Sequence, residues 1–147
     1  MTMYALATLF DFDLDPALAS IWQRLQKKCG LVTANESSFT HLSWQGALDY
    51  QIDTVHEILK GIATQSHGFS VNVAGIGIFT GKEPVLYLNV VKNRDLLNLH
   101  EVLWRKLGPT AVEMNAYYAP SVWVPHITLA YGTLMPTDLA CAVEELM

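Results

Sequence analysis

The segment Trp123–Ala130, WVPHITLA, sets an imidazole and a hydroxyl two residues apart in an otherwise apolar run. Its length and apolar content read as a buried strand. Side chains at i and i+2 of a strand point to the same face, about 6.5–7 Å apart. His126 and Thr128 therefore share a face, and that face needs polar partners or a polar task. The pattern occurs a second time in FTHLSW, Phe39–Trp44, where Phe39, His41 and Ser43 face one way and Thr40, Leu42 and Trp44 the other.

Outward from these two strands, strand and helix patterns alternate. MYALATLFDF, from Met3, has the apolar run of a strand. Asp15 then offers an N-cap and Pro16 a first helical position, and Leu18, Ile21, Trp22 and Leu25 repeat at helical spacing until Gly30. The polar loop NESS separates this helix from FTHLSW. A second helix runs from about Asp53, with Val55, Ile58, Leu59 and Ile62 on one face, to Gly68. FSVNVAGIGIF and PVLYLNVV, joined by TGKE, read as an antiparallel hairpin. A third helix carries Leu96, Leu99, Val102, Leu103 and Leu107 and stops at Gly108-Pro109. An irregular segment with Tyr117 and Tyr118, the strand VPHITLAY and a last helix from about Thr137 complete the order β-α-β-α-β-β-α-β-α. Each half supplies a strand, a helix and a short His-bearing strand, which predicts a single α+β domain over 1–147 with two lobes side by side.

The bulk numbers limit the chemistry. The 147 residues suffice for one domain, 51% are apolar, 16% are charged and the formal net charge is −5. That balance argues against binding long nucleic acid, whose affinity comes mostly from lysine and arginine on phosphates. The N-terminal apolar stretch lacks a basic leader and is too short to span a bilayer, so the expected location is cytoplasmic, without membrane contact. Cys29 and Cys141 show no C-x-x-C spacing and are expected to be reduced packing residues.

Two His-x-hydroxyl strands lying near each other would present four polar groups to a tetrahedral phosphate. Cleaving a phosphodiester without a metal needs a base for the attacking water and an acid for the departing oxygen, and histidine serves as either near neutral pH. His41 and His126 are the candidate pair. Ser43 and Thr128 would donate hydrogen bonds to non-bridging oxygens. The i, i+2 spacing alone arises readily by composition. What singles this pair out is its placement in short apolar strands at corresponding positions of the two halves.

HLSW and PHITLA, with their histidines 85 residues apart in this order of elements, resemble the two His-x-Thr/Ser signatures of the 2H phosphoesterase superfamily. That superfamily includes bacterial 2'-5' RNA ligase-like proteins and RNA 2',3'-cyclic phosphodiesterases. The resemblance implies a bilobal α+β fold, two β-sheet lobes with flanking helices and the motifs facing across a central groove. It also implies metal-independent chemistry on a cyclic phosphate or a 2'-5' linkage, with His41 and His126 as acid and base and Ser43 and Thr128 as phosphate ligands. Ser43 stands where threonine is common in the family and keeps the hydroxyl. Ala130-Tyr131-Gly132 follows the second motif, where several RNA-processing relatives have a basic residue. A nucleotide or short RNA end thus fits better than a long RNA.

Other residues complete the expectations. Tyr4, Tyr117, Tyr118, Trp44, Trp123 and Tyr131 could stack on a base, and Tyr118 and Tyr131 are favoured because they flank the second motif. His56, His67 and His100 fall on or beside helices and are expected to be ordinary exposed histidines. Gly75 and Gly77 suggest close backbone packing or a bulge rather than a nucleotide-binding loop. No zinc and no cofactor are expected. The leading reading is a 2',3'-cyclic phosphodiesterase. The alternatives are a non-catalytic module binding a nucleotide or phosphorylated metabolite, and a 2'-5' RNA ligase.

Overall fold

The protein is described by a computed structural model over residues 3–10, 16–32 and 40–147. Among these residues the elements are β1 (Tyr4–Leu9), α1 (Pro16–Cys29), β2 (His41–Tyr50), α2 (Ile52–Gln65), β3 (Val73–Phe79), β4 (Val85–Val90), α3 (Arg94–Leu107), β5 (Ala111–Met114), β6 (His126–Tyr131) and α4 (Pro136–Leu146). The class is α+β, as expected. The Asp15 cap, the NESS loop and Phe39 lie outside the described residues.

Local chemistry accounts for most boundaries. The Asn93 side chain accepts a hydrogen bond from the Leu96 amide at 2.8 Å and caps α3, whose first turn holds Asp95 and whose last turn holds Arg105 and Lys106. These charges complement the helix dipole. α1 ends at Gly30, whose φ of +64° suits a residue without a Cβ, and the Gly30 and Leu31 amides donate back to Gln26 and Leu25.

Two differences from the sequence reading concern strands. β2 continues to Tyr50 instead of stopping at Trp44, and β5 occupies part of the segment expected to be irregular. Gly46 and Ala47 are weak strand formers. They are extended because β5 pairs antiparallel with them, Ala47 opposite Met114 and Asp49 opposite Val112. β5 is only four residues long and contains Glu113 at a φ of +49°, so no period-2 signal marks it.

The described residues form two compact units that are not the two halves of the sequence. The first draws on residues 3–8, Ser43–Val73 and Val90–Pro125, and the second on residues 9–10, 16–32 and 40–42, Ala74–Asn89 and His126–Met147. In the first unit β2 lies beside β1 and pairs with β5, and α2 and α3 pack together. Its interior holds a row of rings. Trp44 stacks on Trp123 at 5.6 Å between centroids, and Trp123 stacks on His100 at 3.7 Å, nearly parallel. His100 is 1% exposed, so the expectation that it is an ordinary surface histidine fails. Its place in the helical repeat, one turn before Leu103 and two before Leu107, already puts it on the buried face of α3. His56 and His67 are exposed, as expected.

In the second unit the strands run β2-β6-β4-β3, with β2 represented by His41 and Leu42. β6 pairs antiparallel with both β2 and β4. Leu42, Leu86, Leu88, Ile127 and Leu129 are buried, as are Leu18, Trp22 and Leu25 of α1. α1 packs against α4. Their contact corrects the cysteine expectation, for Cys29 at the end of α1 and Cys141 in α4 form a disulfide, with Cα atoms 5.8 Å apart. The sequence separation of 112 hides this juxtaposition, which helix packing alone creates. No helix among the described residues is long and apolar enough to cross a membrane.

Candidate active site

One register sets the geometry. Leu42 of β2 and Ile127 of β6 are opposite partners in an antiparallel ladder. Both are buried, and each is flanked by half-buried polar residues. Carrying the register one residue along puts His41 opposite Thr128. His126, two residues before Thr128, becomes the diagonal neighbour of His41, with backbones about 7–8 Å apart. The two motif histidines and the Thr128 hydroxyl thus share one face of the second unit. Ser43 belongs to the first unit. Alternation along β2 gives it the same side of the strand as His41.

The other neighbour of β6 extends that face. Tyr87 of β4 is opposite Thr128, and Asn89 is opposite His126. Opposite partners present their side chains to the same side, so Tyr87 and Asn89 join the polar face while Leu86, Leu88 and Val90 point into the core. Phe79 meets the Tyr87 ring at 4.3 Å and the His126 ring edge-on at 5.0 Å, and Tyr87 stands 5.1 Å from His126. Phe79, Tyr87 and Asn89 were missed in the sequence. The signal for Tyr87 and Asn89 was their alternation with buried Leu86 and Leu88, and the signal for Phe79 was nothing beyond its place at the end of β3.

The ladder between β4 and β6 shifts register between Leu86 and Tyr87. Leu86 faces Ala130 and Tyr87 faces Thr128, so Leu129 is the extra residue of a β-bulge. Its consequence falls on Tyr131. Without the bulge Tyr131 would point away from Thr128; with it, Tyr131 lies opposite Val85 and shares the face of Tyr87 and Thr128. The bulged Leu129 carbonyl accepts a hydrogen bond from the Trp22 indole N–H of α1 at 3.2 Å. Tyr131 is 49% exposed, open enough to meet a ligand.

Tyr118 takes a different position. Its ring lies against the backbone of Gly46 in the first unit, and a methyl there would be 3.4 Å from the ring. Gly46 alternates with Ser43 along β2, so Tyr118 covers the side opposite the Ser43 hydroxyl. Trp44 and Trp123 are core residues, whereas Tyr4 and Tyr117 are exposed. Tyr50, half-buried and close to the Tyr118 phenol, has its ionisation pushed up to about 12, first by burial and then by that neighbour. Burial pushes the His100 pKa down, against the opposing pull of the Trp44 and Tyr118 backbone carbonyls. Among the described residues no cluster of three His, Cys, Asp or Glu could hold a metal ion.

A face carrying two imidazoles, a hydroxyl, an amide and an aromatic wall can accept and donate protons around a bound oxyanion. Comparison with the curated proteins finds no match. A family model, the 2'-5' RNA ligase superfamily, matches residues 9–146, a span that includes both His-x-hydroxyl strands and the bulge beyond the second. With nearly the whole chain matched, this protein belongs to the 2'-5' RNA ligase superfamily, within the 2H phosphoesterases.

Proposed function

We propose that the protein is a metal-independent phosphodiesterase that opens the 2',3'-cyclic phosphate of a nucleotide or short RNA end. What carries the reading is the Leu42–Ile127 register, which makes His41 and His126 neighbours on one face. One imidazole takes a proton from water as the water oxygen attacks phosphorus. The other, as imidazolium, gives a proton to the 2' or 3' oxygen as the cyclic P–O bond breaks. Thr128, opposite His41, and Ser43, on the same side of β2, donate hydrogen bonds to the non-bridging oxygens. Tyr131 is the stacking surface for a base. Tyr118, on the far side of β2, supports the strand that carries Ser43.

The family description favours a second reading, 2'-5' RNA ligation. The 5'-hydroxyl of a second strand then replaces water as nucleophile and the same groups move the protons. The net charge of −5 ranks it below hydrolysis, because joining two RNA ends requires holding two polyanions at once. We propose a cytoplasmic compartment as well. The Cys29–Cys141 disulfide bears against it, since reducing compartments keep thiols unpaired, and trapping free thiols in intact cells decides the point.

The test is incubation with a panel of 2',3'-cyclic nucleotides and with pairs of RNA ends bearing 2',3'-cyclic phosphate and 5'-hydroxyl termini, with and without EDTA. Hydrolysis that survives EDTA and disappears in His41→Ala and His126→Ala supports the first reading. Joined product supports the second. A ligand that stays bound and intact through prolonged incubation rejects both.

A further inference from the structure

We propose that Tyr87, seated over Gly77, is the positioning residue for His126. The inference deepens the phosphodiesterase reading and rests on it for the role of His126. Tyr87 lies on the half-polar face of β4, opposite Thr128, yet it is 9% exposed. The burial has a specific origin. Its ring leans across the neighbouring strand β3 at Gly77, where a Cβ would overlap both the ring and the phenol oxygen. Gly77 has no unusual φ that would demand glycine, unlike Gly75 at +80°. The requirement at position 77 is therefore space for the Tyr87 ring.

From that notch the ring reaches His126 at 5.1 Å, tilted by 55°, while Phe79 meets the same imidazole edge-on at 5.0 Å. Phe79 and Tyr87 also touch each other. Two mutually packed rings thus stand against the imidazole and restrict its χ2 rotation. A proton-transfer group held at a defined tilt reacts faster than one that swings, without binding substrate more tightly. Tyr87 acts through His126 and is not itself assigned a contact with the phosphate.

The experiment combines kinetics on a 2',3'-cyclic nucleotide with proton–carbon NMR of the His126 imidazole in the substrate-free protein. The expected result for Tyr87→Leu is a fall in kcat of about 10- to 100-fold with KM changed less than about twofold. The His126 resonances should also shift relative to the wild type. Tyr87→Phe keeps the ring and retains both the wild-type resonances and most of the kcat. Gly77→Ala reproduces the Tyr87→Leu effects because its methyl pushes the ring out of the notch. Adding Gly77→Ala to Tyr87→Leu brings no further loss, since the overlapping ring is already gone. Wild-type His126 resonances in both Tyr87→Leu and Gly77→Ala overturn the proposal, as do strictly additive effects in the double variant. If the wild type proves inactive on cyclic nucleotides, the phosphodiesterase reading fails on its own, and the NMR arm still decides whether Tyr87 orients His126.

Discussion

Leu42 and Ile127 face each other across adjacent antiparallel strands, 85 residues apart in sequence, and both are buried. The pair is apolar and takes no part in chemistry. It nevertheless decides which polar side chains meet, because a one-residue slip would turn every side chain of one strand to the opposite face. The assignment of His41 and His126 to one acid–base pair depends on it.

If that pair transfers protons, His41→Ala and His126→Ala each lower kcat/KM on a 2',3'-cyclic nucleotide by about 100- to 10,000-fold. The double variant should lose little more than the worse single variant, since the two groups act as a unit. Steady-state rates on the three proteins measure this. Full activity in either single variant rejects the pairing.

Thr128 separates hydroxyl from shape. Thr128→Ser keeps a donor opposite His41 and should retain activity within about tenfold, whereas Thr128→Val keeps the shape, removes the donor and should cost about 100-fold or more in kcat. Equal losses in the two variants would show that packing against Tyr87 matters and the hydroxyl does not.

The bulge at Leu129 links α1 to the face that carries Tyr131. Tyr131→Ala should raise KM for a cyclic nucleotide by a factor corresponding to about 1–3 kcal/mol of lost stacking, and leave KM for a base-free cyclic phosphate unchanged. Trp22→Phe leaves the Leu129 carbonyl without its indole donor. The expected cost is about 1–3 kcal/mol of stability for an unsatisfied buried acceptor, read from urea denaturation.

Acid should act on His100. Its folded-state pKa is lowered, chiefly by burial, so the unfolded chain binds its proton more readily than the folded one. Stability from the neutral ring is fully present above the ordinary histidine pKa near 6.5 and is lost as pH falls through the lowered folded value. Thermal melts from pH 8 to pH 5 should show a drop in Tm that shrinks in His100→Phe, which keeps a ring against Trp123. A drop of the same size in the variant assigns the acid sensitivity elsewhere.

The disulfide makes the remaining prediction. It closes a long stretch of chain between the end of α1 and α4, and loss of such a link typically costs about 3–5 kcal/mol. Reduction, or the double variant Cys29→Ser with Cys141→Ser, should lower Tm to the same extent. A native protein whose two thiols react freely with a thiol reagent contradicts the bond.

Much of the candidate site was legible because it is written at short range. Strand alternation puts His41 with Ser43 and His126 with Thr128 on common sides, whatever the rest of the chain does. The Pro16 start of α1, its Gly30 stop and the leucine repeat of α3 are equally local, since capping and helical periodicity are decided within a few residues. The two matching motifs in an α+β order were sufficient to point to the superfamily.

What tertiary structure alone decided are relations between distant residues. The Leu42–Ile127 register, the bulge that turns Tyr131, the Gly77 notch under Tyr87 and the Cys29–Cys141 bond each join segments whose own sequences accept several partners. Strand pairing and side-chain packing are selected by the burial achieved across the whole fold, so a short window records which face a residue takes but not what stands opposite it. His100 shows the same limit, for its helical repeat placed it on an inner face and only the ring of Trp123 determined what it met there.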